Sequence, residues 1–177
     1  MRWGNEGFTA DIDFLEELVR RAQLTPGPVL ECGSGLTTIL LGLLVGRRGI
    51  EVWTLEHDRE WHARVARVLK QRRIAGINLC IAPLRDYGGF SWYDPPLKRM
   101  PKQFCLVVCD GPPGATPGGR YGLLPIMGEY LGSGCVILLD DAGPWATETL
   151  HRWTTEAPMI VDLLHMPGGS LAIVSRC

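Results

Sequence analysis

The chain has 177 residues, of which 46% are hydrophobic and 21% charged, and its formal charge at pH 7 is −1. That size suits one domain with one sizeable core, and the composition is that of an ordinary soluble globule. The near-neutral charge argues against a strongly basic nucleic-acid binder, so no nucleic-acid partner is expected.

The longest apolar stretch, residues 39–45, is far too short to span a bilayer, and no membrane partner is expected. Residues 1–13 carry charges and lack an apolar run, so no signal peptide is read there. Six cysteines are present: Cys32, Cys80, Cys105, Cys109, Cys135 and Cys177. None forms a C-x-x-C pair, which argues against a zinc ribbon or a thioredoxin-like motif. Several sit inside apolar runs, where a cysteine behaves as a small buried hydrophobe. That usage fits a reducing cytoplasm.

The elements alternate along the chain. Residues 10–23 have helical spacing, with Phe14, Leu15, Leu18 and Val19 on one face, and Pro26-Gly27-Pro28 ends the helix. Residues 29–31 read as a first strand, 36–45 as a buried helix and 51–55 as a second strand. Residues 58–74 form a long amphipathic helix that turns Trp61, Val65, Val68 and Leu69 inward. A third strand follows at 77–81. Residues 86–102 then break the rhythm and read as a long loop with one short helix. Strands four and five lie at 104–109 and 135–139, both continuous apolar runs suited to a parallel sheet covered on both faces. Between them a Gly/Pro loop at 111–119 leads into a helical stretch to about residue 131. A last helix at 145–156 precedes two strands, 159–164 and 171–175, joined by a tight turn at Pro167-Gly168-Gly169.

Strands alternating with helices predict a doubly wound α/β sheet of about seven strands, closed by an antiparallel hairpin. The whole chain reads as one domain, with residues 1–27 as an N-terminal helical segment and 28–177 as the sheet-bearing core.

The turn Glu31-Cys32-Gly33-Ser34-Gly35 joins the first strand to a helix. Its glycines permit a tight turn and let a ligand approach the backbone, while the helix start offers free N–H groups and a partial positive charge. Glu56 ends the second strand, 21 residues after Gly35. An acidic side chain there suits the hydroxyls of a ribose.

At these residues the chain resembles the class I S-adenosylmethionine (SAM)-dependent methyltransferases, closest to the small-molecule O-methyltransferases. Residues 31–35 resemble that family's first motif, Glu56 its ribose-binding acid, and Ala82-Pro83-Leu84-Arg85-Asp86 its adenine-lining segment. Val107-Val108-Cys109-Asp110-Gly111-Pro112-Pro113-Gly114 resembles the fourth motif, beside the transferred methyl. The resemblance implies a Rossmann-like strand order of 3-2-1-4-5-7-6, with the last strand antiparallel. It implies SAM as cofactor. Glu31 would lie near the methionine moiety, Cys32, Gly33, Ser34, Gly35 and Thr38 around the cofactor turn, and Glu56 on the ribose. His57, Leu84 and Asp86 would neighbour the adenine, although Asp86 reads equally as a turn residue. Asp110 would flank the methyl.

Asp110 ends the fourth strand, and Asp140 and Asp141 end the fifth, on the rim where ligands bind in open α/β sheets. Three carboxylates together would repel unless protonated, hydrogen-bonded or bound to a cation. Oxygen-only ligands favour Mg²⁺ or another hard divalent cation. The set resembles the metal-dependent O-methyltransferases, and Asp110, Asp140 and Asp141 are the expected catalytic and metal residues. The other reading is that successive side chains on a strand diverge, and that one of the pair caps the next helix.

The catechol-type lysine that follows the fourth-strand Asp is replaced here by Pro112-Pro113-Gly114, so a lysine base is not supported. That loop also offers no aromatic ring for stacking on a nucleic-acid base. Trp92, Tyr93, Arg120 and Tyr121 lie in loops that could reach the rim. The expected acceptor is a small molecule bearing a hydroxyl, and a second copy in a homodimer could complete the site. A nicotinamide-dependent oxidoreductase and a non-catalytic SAM-binding protein are the alternatives. The first lacks support from Thr38, which stands where the third glycine of G-x-G-x-x-G belongs.

Overall fold

A computed structural model of the chain describes residues 11–142, 144–166 and 169–176. Expectations resting on residues 1–10, or on the turn at Pro167-Gly168, lie outside the described residues. Helix α1 (Ile12–Leu24) opens at Asp11, whose carboxylate accepts the Asp13 N–H at 3.1 Å. That bond satisfies one of the helix's unpaired donors. The helix buries Phe14, Leu18 and Ala22, a single face at three-to-four spacing.

Strand β1 (Val29–Cys32), helix α2 (Leu36–Leu44), strand β2 (Val52–Glu56), helix α3 (Arg59–Arg72) and strand β3 (Ile77–Ile81) follow. Asp58 caps α3 by accepting the Trp61 N–H at 2.7 Å, and Val65, Val68 and Leu69 are its buried face.

The crossover after β3 is not the loop expected at 86–102. Strands β4 (Leu84–Asp86) and β5 (Ser91–Tyr93) pair antiparallel, and a 3-10 turn spans Leu97–Arg99. The hairpin turns at Gly88 and Gly89, with φ of +76° and +110°, and the Tyr87 N–H donates to the Phe90 carbonyl at 2.9 Å. Only glycine takes such angles without strain. Trp92 and Tyr93, expected in a loop reaching the rim, are fully buried instead. With Met100 they fill the sheet face over Leu30, Trp53 and Val107. The hairpin thus supplies the apolar cover that a crossover helix ordinarily gives a parallel sheet.

Strand β6 (Phe104–Cys109) leads through the Gly/Pro loop to a short helix, α4 (Leu123–Met127), and to β7 (Leu131–Leu139). Helix α5 (Pro144–Glu156) precedes β8 (Met159–Met166) and β9 (Gly169–Arg176).

The main sheet has the order β3-β2-β1-β6-β7-β9-β8. With the β4–β5 hairpin set aside, that is the expected 3-2-1-4-5-7-6. β9 runs antiparallel to both β7 and β8, while the β1, β2, β3, β6 and β7 pairings are parallel. Alternate strand residues divide between two cores. Val29, Val52, Leu106 and Leu138 pack with Phe14, Leu18 and Leu41 on one face. Leu30, Leu55, Val107 and Ile137 pack with the hairpin and Trp153 on the other. Among the described residues, no helix is long and apolar enough to cross a membrane.

If the hairpin is part of the core, Trp92→Ala should lower the unfolding free energy in urea by about 3–5 kcal/mol, as for a buried aromatic. A loss below about 1 kcal/mol, typical of a surface loop, would contradict this packing.

Candidate functional site

The C-terminal ends of β1, β2, β6 and β7 form one rim. The chain leaves β1 through Gly33, whose φ of +89° suits glycine. The Cys32 carbonyl accepts from both Asp110 N at 3.1 Å and Gly111 N at 2.7 Å, which ties the β1 turn to the β6 turn. A Cβ on Gly33 would sit 3.3 Å from Gly111 N, so the two backbones nearly touch. Cys32 itself is fully buried, and burial pushes its thiol well above the usual range. It offers this site its backbone rather than a reactive thiolate.

Glu31 lies one residue before that turn and is fully buried. It is in register with Thr54 of β2, on the sheet face that α2 covers. Its Oε2 accepts the hydroxyls of Thr54 at 2.7 Å and Thr38 at 2.8 Å. Thr38 in turn accepts the Gly35 N–H at 2.9 Å. Oε1 has no partner. Burial pushes the carboxyl up to about 7, against the pull of the threonine hydroxyls.

Glu56 ends β2 and is also buried. Its Oε2 accepts Ser34 N at 3.1 Å and Ser34 Oγ at 2.7 Å, and its Oε1 accepts Asp58 N at 2.9 Å. Trp61 Nε1 donates to the Ser34 carbonyl at 2.7 Å and fixes the turn from α3. His57 Nδ1 is 3.2 Å from Glu56 Oε1 but is not aligned for a hydrogen bond. The His57 ring meets Tyr93 edge-on at 6.1 Å between centroids.

Leu84 packs half-buried on the core from β4. Asp86 is exposed and accepts the Gly88 N–H at 2.8 Å, the turn role that the sequence left open.

The three rim aspartates converge: one oxygen from each lies within 4.8 Å of the others. Their divergence along a strand does not arise, because β7 ends at Leu139. Asp141 turns back in the left-handed region at φ +52°, and its N–H donates to Asp140 Oδ1 at 2.9 Å. Asp140 is buried, and burial, then the Asp110 charge, pushes it up to about 7. Asp110 is raised as well, first by burial, with Arg120 opposing.

Arg120, read from the sequence only as a loop residue that could reach the rim, does reach it, against Asp110, Asp140 and Asp141. It is the one Lys or Arg between Lys102 and Arg152. Its guanidinium donates to the backbone carbonyls of Asp110 and Asp140. Nη2 also lies 3.5 Å from Asp110 Oδ1 and 3.6 Å from Asp141 Oδ2. The carboxylate spacing by itself would admit a hard cation. The guanidinium already uses two of those carboxylates, so the residues present do not fit a resident divalent metal.

No protein-family model matches the sequence, and no curated protein matches it. Solved structures do. An S-adenosylhomocysteine (SAH)-bound methyltransferase from Podospora anserina is similar over 99% of this chain and 82% of its own, with TM-score 0.70 and 17% identity. A SAM-dependent O-methyltransferase from Thermotoga maritima matches 95% of this chain and 67% of its own, with TM-score 0.65 and 14% identity. A precorrin-6y C5,15-methyltransferase from Geobacter metallireducens matches 97% and 94%, with TM-score 0.64 and 13% identity. At these identities the likeness shows the fold alone: the chain shares the Rossmann-like α/β fold of these solved structures.

The raised carboxyls give stability a definite pH dependence. Glu31 keeps its proton to about pH 7 when folded, against about 4.3 for a free glutamate carboxyl. The folded state therefore holds the extra proton between those values, and stability falls as pH rises through about 7. Asp140 acts with the same sign. The urea midpoint of the ligand-free protein should fall between about pH 5 and about pH 8. Glu31→Gln should flatten that fall, and an unchanged slope in the variant would refute Glu31 as its source.

Proposed function

We propose that this protein is a SAM-dependent methyltransferase that acts on a hydroxyl oxygen of a small molecule, working as one domain. The observation that carries the reading is Glu31: a fully buried carboxylate oxygen without a partner, beside the glycine turn that opens α2. A buried acid with a spare acceptor fits a cationic group, and the methionine ammonium of SAM is one. The solved methyltransferase bound to SAH supports the same cofactor, and the Thermotoga maritima O-methyltransferase supports oxygen as the acceptor.

Bound SAM supplies an activated methyl for in-line displacement, so the chain has mainly to hold and align. Glu31 holds the ammonium. Gly33, Ser34 and Gly35 give the cofactor close backbone access, and Thr38 sets the Glu31 carboxylate. Glu56 would hold the ribose, its Oε2 sharing its acceptor capacity with Ser34 Oγ. His57 and Leu84 flank the adenine. Asp110, at the β6 rim and with its pKa raised by burial, takes the proton of the acceptor hydroxyl. Asp140 and Asp141 shape the acceptor side of the same rim. None of the described cysteines forms a disulfide, and a cytoplasmic location is part of this proposal.

Calorimetry should show SAH binding and no NAD binding, with Glu56→Ala weakening SAH by about 1–3 kcal/mol. Tight NAD binding without SAH affinity would favour the oxidoreductase. Radiolabelled methyl transfer to a panel of hydroxyl, amine and carbon acceptors tests the chemistry. Preference for amines or carbon would refute the oxygen acceptor, and SAH binding without any turnover would favour a non-catalytic binder.

A further inference from the structure

We infer that Arg120 is the built-in counter-cation of the acidic rim, standing where the metal-dependent resemblance reserves a place for a divalent ion, and that it positions Asp110. The guanidinium spans two strand ends. It donates to the carbonyl of Asp110 after β6 and to that of Asp140 after β7. The same group faces the Asp110 and Asp141 carboxylates at 3.5 and 3.6 Å. Its side chain is 11% exposed, so water screens this charge little.

A metal bridging one oxygen from each aspartate would need the oxygens that the guanidinium now faces. It would then share a half-buried site with a like charge that cannot deprotonate. The planar fork does what a point charge cannot: it holds two backbone carbonyls as well as two carboxylates. Arg120 therefore fixes the spacing of the β6 and β7 ends and keeps Asp110 on the rim. It is a positioning residue.

The test is Mn²⁺ binding followed by electron paramagnetic resonance on the full chain, in wild type, Arg120→Lys and Arg120→Gln. It needs neither SAM nor a methyl acceptor, so failure of the proposed activity leaves the result readable. Wild type and Arg120→Lys should bind no Mn²⁺ at the cluster. Arg120→Gln should acquire a Mn²⁺ site there, at least about tenfold tighter than any residual binding by wild type, since affinity follows the charge balance of the ligands. Adding Asp141→Asn to that variant should remove the gain. Circular dichroism checks that each variant folds, and if Arg120→Gln does not, the wild-type titration decides alone. Mn²⁺ bound by wild type and lost in Asp110→Asn would overturn the inference, as would a folded Arg120→Gln that gains no site. Where turnover is measurable, wild-type activity should be indifferent to chelator, and dependence on added metal would also overturn it.

Discussion

The arrangement depends on how closely two backbone turns approach. Gly33 follows β1, Gly111 follows β6, and the Cys32 carbonyl holds the second turn against the first. A side chain at Gly33 would press on the Gly111 backbone, and one at Gly111 would meet the Tyr93 hydroxyl. Glycine at both places is therefore a steric requirement of the seam. The seam brings Glu31 and Asp110, which belong to neighbouring strands, onto the same stretch of rim. It also leaves that stretch of the rim lined by backbone, where a ligand can come close.

Much of this was legible in the sequence because its cause is local. The parallel strands are short continuous apolar runs, and burial on both faces makes them so. The G-x-G turn and Glu56 announce themselves by spacing, and the closing hairpin by its turn residues. What stayed hidden is set by tertiary contact. The β4–β5 hairpin is too short to show a period, and the Pro and Gly residues around it read as a loop. Its aromatics are buried because the sheet face needs cover, a demand invisible from residues 84–93 alone. The convergence of Asp110, Asp140 and Asp141 was expected from their place on the rim, but the one left-handed residue that brings it about was not. Arg120 lies ten positions beyond Asp110, at the end of a Gly/Pro loop, and no local pattern links the two. The available signal was one of charge balance: three acids on a rim call for a cation, and this stretch contains one.

The acids of the rim are handled in two ways. Asp110 and Asp141 face a permanent cation. Glu31 has no cation among the described residues, only hydroxyls, and so is pushed up to about 7. Hydroxyl donors offset part of the desolvation of a buried carboxylate but do not replace a charge. The difference suits the proposed chemistry. On the acceptor side a fixed charge keeps the proton-accepting aspartate in place. On the cofactor side the counter-charge arrives with the ligand.

The hairpin joins these two sides. Trp92 packs against Gly122, where a Cβ would come within 2.5 Å of the Trp92 side chain, and Ser91 N–H donates to the Pro117 carbonyl at 2.8 Å. The loop that carries Arg120 is thus fastened to β5. From the same strand, Tyr93 reaches the Gly33–Gly111 seam and meets His57 edge-on. A displacement of the hairpin would therefore act at both ends of the rim at once, through Tyr93 at the Gly33–Gly111 seam and through the 111–122 loop at the aspartate cluster. The replacement of a crossover helix by two short strands changes more than the cover of the sheet. It makes the β1 turn and the aspartate cluster neighbours of one small element, and the geometry of each depends on how that element is seated.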